Sequence, residues 1–336
     1  MISTEGYILI FILIISFLFF YYHNSIAKYF KLFDYPDKKR KIHLKKVPIT
    51  GGLGLFLVIL FSIFFNFSFD EFERSFSEKL RHIIGFFLCM TIFFVTGLFD
   101  DKYKLSPIFK LLNCTIGLIV LISLNNQILI SELYFLFIEK KIVLENFSYV
   151  FTIFCFLVFT QAINMFDGIN LQSSLYSLTI LIIFYILTKD FLFLSISMYL
   201  IIFLYFNSKS KMFLGDSGTY LLGFLISYFS IELFNYKFIT TEKIFILMLF
   251  PGLDLTRLFI ARLLNGKSPF LADKNHIHHI ILKKVGFKFT ILIFAFIYTM
   301  KFLLIFLSID IIGILILFIL YCFLIYYFKK NLIRNT

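Results

Sequence analysis

About eleven stretches of this 336-residue chain are apolar for nearly a membrane's width, and that property decides most of what the chain can become. A helix needs roughly 20 mainly apolar residues to cross a bilayer. In lipid every backbone polar group must find its partner inside the protein, so spanning segments are helices or closed barrels. The stretches lie near 5–22, 51–69, 82–98, 108–126, 147–163, 172–188, 191–207, 217–234, 242–258, 288–306 and 309–328. Leu129–Ile138 is apolar but too short to span, which predicts an interfacial or re-entrant segment. The expected fold is an all-α polytopic membrane protein with 10–11 transmembrane helices, forming one integral-membrane domain over 1–336 without internal repeats. Composition agrees, since 60% of the residues are hydrophobic and 15% charged, where a soluble domain carries about 25% charged residues. A soluble enzyme, a disordered chain, a coiled coil and a disulfide-stapled domain are excluded. Cys89, Cys114, Cys155 and Cys322 each sit in an apolar run without paired spacing, so neither disulfide nor metal is assigned to them. Met1–Gly6 carries no base ahead of the first run, and no small-residue cleavage site follows, so that run reads as a retained helix.

Charge sets the expected orientation. Segments 23–50, 99–107, 208–216, 257–288 and the tail together hold 22 of the 32 Lys and Arg residues, and the opposite loops hold about eight. The positive-inside rule places the first set, and the C-terminus, in the cytoplasm and the N-terminus outside. The net charge of +12 therefore reports orientation and anionic headgroups rather than nucleic acid. Carboxylates sort as sharply. Asp34, Asp37, Asp100, Asp101, Asp167, Asp216, Asp254 and Asp273 fall on the cytoplasmic side without any Glu, and all nine Glu residues lie at or near the other face with Asp70, Asp190 and Asp310. Short, stiffly placed carboxylates suit a metal or phosphate site, because each extra methylene adds a rotor to freeze. An active site built from cytoplasmic loops and helix ends is expected.

Five clusters carry that expectation. Asp100 and Asp101 end the third helix, and adjacent carboxylates at a membrane edge need a cation or lysines as counter-charge unless they are simply solvated. Asn164, Asp167, Gly168 and Asn170 follow an apolar helix, where a glycine permits a turn or the close approach of a ligand. Asp216 and Ser217 open the eighth helix, as caps or as metal ligands, and a helix N-terminus also attracts phosphate. Pro251–Arg257, Arg262 and Ser268–His279 form the longest cluster, with His276, His278 and His279 within four residues. Zinc fits it poorly, and imidazoles beside Arg257 and Arg262 suit phosphate and sugar hydroxyls. The first basic loop, with Lys41 and His43, contacts anionic lipid or steers a polyanionic substrate.

In order along the chain, DYPDKKRKIHLKKVPITGG, GLFDDKYKLSPIFKLL, NMFDGINL, FLGDSGTYLLG and PGLDLTRLFIARLLNGKSPFLADKNHIHH, over positions 34–279, resemble the polyprenyl-phosphate N-acetylhexosamine-1-phosphate transferase superfamily. The HIHH form is similar to the branch that starts O-antigen, enterobacterial common antigen and teichoic-acid linkage synthesis. The branch making the peptidoglycan lipid precursor carries three consecutive histidines instead. The chain departs from the family's usual Asp-Gly-x-Asp-Gly-Leu by placing Asn170 and Leu171 where a second Asp-Gly is common.

The resemblance implies a multi-pass enzyme of the bacterial cytoplasmic membrane that starts a cell-envelope glycan. It would transfer N-acetylhexosamine-1-phosphate from a UDP-sugar to undecaprenyl phosphate and release UMP, with Mg²⁺, or Mn²⁺, as cofactor. It implies Asp216 and Asp167 as metal ligands and Asp100, Asp101 and Asp167 as catalytic groups. Lys41, His43, Lys110, Asn164, Asn170, Arg257, Arg262, His276, His278 and His279 would bind substrate. Membrane lipids are expected partners, nucleic acid is not, and a homodimer stays open. Two alternatives are a phospho-MurNAc-pentapeptide transferase and, in another class, a secondary transporter. Transport sites place charge near the bilayer midplane, whereas here only Lys301 reads as deeply embedded.

Overall fold

The computed structural model describes residues 4–36, 45–69, 76–269 and 273–333. Eleven helices follow in order: α1 (Thr4–Phe30), α2 (Gly51–Phe69), α3 (Phe76–Tyr103), α4 (Pro107–Leu124), α5 (Phe147–Phe166), α6 (Gln172–Thr188), α7 (Phe191–Ser208), α8 (Gly215–Asn235), α9 (Thr241–Leu264), α10 (Ile277–Leu307) and α11 (Asp310–Ile333). Among the described residues nine helical segments are long and apolar enough to cross a membrane, and Gly51–Phe64 and Gln172–Thr188 are shorter apolar pieces. The chain is an all-α polytopic membrane protein.

Helix ends follow local chemistry. Ser106 caps α4 by accepting the Phe109 N–H, and Pro107 takes the first helical position, where its missing N–H is no loss. Asp190 and Thr240 cap α7 and α9 in the same way. Two boundaries differ from the pattern in the sequence. Helix α10 begins at Ile277, well before the apolar stretch at 288, because the histidine segment itself coils into helix ahead of a break at Gly286 (φ 76°). Leu129–Ile138 belongs to an antiparallel hairpin, β3 (Glu132–Phe135) with β4 (Lys140–Val143), in the register Glu132↔Val143. The left-handed Glu139 (φ 50°) turns the chain, and the apolar Ile142–Val143 beyond it supply the second strand.

The chain divides into two compact units, one of residues 1–128 and 180–226 and the other of 129–179 and 227–336. In the first, α3 packs on α4, α2 on α7, and α1 on both α2 and α7. Lipid is as apolar as Leu, so helices associate there through close packing rather than through burial of oily surface. Glycines supply the closeness: a Cβ on Gly52 would lie 2.3 Å from the Gly218 nitrogen, and one on Gly97 would lie 2.4 Å from the Asp216 carbonyl. In the second unit α9 packs against α5, α10 and α11, and β3 meets the start of α9, where Thr241 donates to the Tyr134 carbonyl (2.7 Å).

Candidate active site

In the first unit, three helix ends and one loop bring Asp100, Asp101, Lys110 and Asp216 together. The loop is fixed by backbone pairing. A two-residue ladder joins Phe33–Asp34 to Val47–Pro48, the Phe213 N–H reaches the Pro48 carbonyl, and the Gly51 and Gly52 N–H groups reach the carbonyls of Phe213 and Leu214. This holds the strand-like entry to α8 beside the start of α2.

Asp101 lies at the end of α3, yet it caps α8. Its two carboxylate oxygens accept the N–H groups of Asp216 (2.7 Å) and Ser217 (3.0 Å). A carboxylate at a helix N-terminus satisfies orphan donors and meets the positive end of the helix dipole. Gly215 makes room for it, because its φ of 76° favours glycine and a Cβ there would meet an Asp101 oxygen at 2.6 Å. Asp100 has a different task. It accepts the Leu105 N–H (2.8 Å) and forms a half-buried ion pair with Lys110 (2.7 Å). The Asp216 carboxyl also lies within hydrogen-bonding reach of Asp100.

In the second unit the centre is Asp254, 2% exposed. It accepts from Arg257 (2.7 Å), the Tyr321 hydroxyl (3.1 Å) and the Ile277 N–H (3.2 Å), and it pairs with the His276 Nδ1 (2.9 Å). Arg257 also donates to the Asn275 carbonyl and to Tyr321. Arg262, 4% exposed, binds Asp273 (3.1 Å) and the Pro269 carbonyl (2.7 Å). Partial burial by itself would raise the Asp273 carboxyl, but the Asn275 N–H and the Arg262 guanidinium hold it below its ordinary value. From this platform the imidazoles rise in a row. The rings of His276 and His278 lie parallel at 5.4 Å, and those of His278 and His279 are 4.3 Å apart.

His278 is fully buried, and neither ring nitrogen has a hydrogen-bond partner among the described residues. It rests on the turn after α5, where a Cβ on Gly168 would fall 1.8 Å from its Nε2. In that turn the Asp167 N–H closes α5 on the Ile163 and Asn164 carbonyls, and the Asp167 carboxylate accepts from Ser173. Leu171 occupies the left-handed region (φ 71°), the conformation a glycine would take without cost.

The clusters read from the sequence thus fall into two groups. Asp100, Asp101, Lys110 and Asp216 meet in the first unit; Asp167, His276, His278, His279, Arg257 and Arg262 belong to the second, as do Asn164 and Asn170. Lys41 and His43 lie outside the described residues. Sequence reasoning missed two roles. Asp254 was visible as one of the cytoplasmic aspartates, but its spacing of 22 residues to His276 carries no local pattern. Asp101 as the cap of α8 depends on a contact across 115 residues.

Among the described residues no three His, Cys, Asp or Glu side chains are grouped to hold a metal by themselves. The first unit still suits a hard divalent ion. Two carboxyls, Asp100 and Asp216, approach one another, and Mg²⁺ commonly takes one or two carboxylates, keeps several waters and completes its shell with substrate phosphate.

The glycosyl transferase family 4 profile matches residues 83–234. An Escherichia coli K12 protein, undecaprenyl-phosphate alpha-N-acetylglucosaminyl 1-phosphate transferase, is 26% identical over 297 residues, covering 84% of this chain and 77% of its own length. A Bacillus subtilis protein, probable undecaprenyl-phosphate N-acetylglucosaminyl 1-phosphate transferase, is 29% identical over 309 residues, covering 85% and 82%. A Salmonella typhi relative of the same description as the E. coli protein is 25% identical over 290 residues, 82% of this chain and 76% of its own. The motif order, the polytopic helical fold and these matches make the chain similar to the polyprenyl-phosphate N-acetylhexosamine-1-phosphate transferase superfamily and support that reading of it.

Proposed function

We propose that this enzyme transfers N-acetylglucosamine-1-phosphate from UDP-N-acetylglucosamine to undecaprenyl phosphate at the cytoplasmic face of a bacterial inner membrane, starting a cell-envelope glycan. An oxygen of the lipid phosphate attacks the sugar-bearing phosphorus of the donor. The bond from that phosphorus to the bridging oxygen breaks, and its electron pair leaves with UMP. Lipid diphosphate sugar is the other product. The observation that carries this reading is the meeting of Asp100, Asp216 and Lys110 at a helix N-terminus, joined to the relatives' shared description.

Phosphoryl transfer asks mainly for positioning and charge neutralisation. Transferases of this kind are generally dependent on a divalent metal. In this reading Asp216 and Asp100 would hold Mg²⁺. A bound Mg²⁺ would neutralise diphosphate oxygens. Lys110 keeps the Asp100 carboxylate aimed and adds positive charge for phosphate. Asp101 acts through the start of α8 as a positioning residue. No base is needed on the nucleophile, since a phosphate monoester is largely ionised near neutral pH. The donor is read by His276, His278 and His279, and Asn164 and Asn170 supply amide contacts to its sugar. Arg257 and Arg262 are committed to Asp254, Asp273 and backbone carbonyls, so their task is to hold the histidine segment. Lys41 and His43, outside the described residues, gather the anionic substrates through their positive charge and polar ring.

Mass analysis of the lipid product tests this directly. Incubation of purified enzyme with both substrates should yield the polyprenyl diphosphate sugar. A lipid carrying a single phosphate, with UDP as coproduct, would mean glycosyl rather than phosphosugar transfer. Replacing the donor by UDP-MurNAc-pentapeptide should abolish product, which separates this reading from the peptidoglycan branch.

A further inference from the structure

Pro251 lies inside α9 and has no N–H, so the Leu247 carbonyl one turn earlier loses its helical partner. A carbonyl stranded in this way is costly in an apolar surround. Two side chains from other helices answer it. The Tyr176 hydroxyl of α6 donates to the Leu247 oxygen at 2.7 Å, and the Lys301 ammonium of α10 donates to it at 2.9 Å. Lys301 is 2% exposed. Its ammonium also faces the rings of Tyr176 (5.1 Å) and Phe250 (5.3 Å), and no carboxylate pairs with it among the described residues. A buried cation is expensive in a membrane segment, and its presence marks a task.

The task follows from what lies one turn past the proline. Asp254, three residues beyond Pro251, gathers Arg257, Tyr321 and His276. The other donor is tied to the same region, because the Tyr176 ring packs on Phe166 and Tyr298, and Phe166 packs edge-on to His278. We propose that Lys301 is a positioning residue for the transfer reaction: by clamping the Leu247 carbonyl freed by Pro251, it fixes the proline-interrupted turn of α9 that leads to Asp254 and its contacts with the histidine segment. This rests on the transferase reading above.

The clamp makes a specific demand on a double-mutant cycle. Pro251→Ala restores an N–H opposite the Leu247 carbonyl and makes the lysine dispensable. Lys301→Met in the otherwise unaltered enzyme should raise the KM for UDP-N-acetylglucosamine about tenfold and change kcat less than threefold. In the Pro251→Ala background the same substitution should change the KM less than twofold. Thermal unfolding of all four proteins in detergent reads the coupling without activity, and the loss on Lys301→Met should shrink in the same way. Equal penalties in both backgrounds, or a lowered unfolding midpoint with unchanged KM, overturn the proposal. An unaltered enzyme that releases no UMP would remove the transferase reading instead, while the unfolding cycle would still judge the clamp.

Discussion

At the scale of single residues, the turn after α5 shows what a substitution in a family motif does to the backbone. Leu171 stands where the family commonly has glycine and sits at φ 71°. A side chain in the left-handed region costs roughly 1–2 kcal/mol. Leu171→Gly should therefore stabilise the protein by about 0.5–1 kcal/mol once glycine's greater chain entropy is set against the gain, seen as a higher unfolding midpoint in detergent. An unchanged or lower midpoint would show that the Leu side chain's contacts outweigh the strain. The neighbouring loop gives a pH prediction. Asp273 is held below its ordinary value in the fold, so its hydrogen bonds stabilise fully above the unfolded carboxylate pKa of about 3.9. That contribution is lost as pH falls through the lowered folded value. Asp273→Asn should flatten the acid limb of stability measured by thermal unfolding, leaving the region above pH ~5 with a constant offset.

At the scale of elements, the cap of α8 by Asp101 ties the end of α3 to the start of the helix carrying Asp216. Asp101→Asn leaves one acceptor oxygen for two N–H donors. It should cost about 0.5–2 kcal/mol and lower UMP release without abolishing it, because the cap positions Asp216 rather than touching substrate. Complete loss of turnover in a folded Asp101→Asn protein would instead make Asp101 a reacting group. These elements also show how far the sequence could be read. The spans were legible because twenty apolar residues in a row leave few alternatives, and Ser106–Pro107 announced the start of α4. The hairpin at β3 and β4 was not, since its strands are four residues each and its turn uses a left-handed Glu139 in place of glycine. The start of α10 was hidden because polar His276–His279 interrupts the hydropathy pattern. In the site, the sequence showed aspartates and histidines in clusters, and the structure brings several of them into contact. Which carboxylate caps, which pairs with Lys110 and which gathers His276 depends on partners 10 to 115 residues away.

For the whole molecule, the asymmetry of Lys and Arg between the two sets of loops, with eight of the eleven Asp and no Glu on the basic side, predicts one orientation. It can be checked in a background lacking Cys89, Cys114, Cys155 and Cys322. A membrane-impermeant maleimide added to intact spheroplasts should label Lys237→Cys and spare Lys209→Cys until the membrane is opened. The reverse pattern would place the aspartate face outside, away from any cytoplasmic UDP-sugar. The central claim is that this face performs lipid-dependent phosphosugar transfer with Asp216 at its centre. The most direct test follows UMP release from UDP-N-acetylglucosamine by the purified protein, with undecaprenyl phosphate and Mg²⁺ each present or omitted, beside the Asp216→Asn variant. UMP that requires both additions and falls at least a hundredfold in Asp216→Asn is the expected result. Release that ignores the lipid, or an Asp216→Asn enzyme as active as the original, would contradict the account.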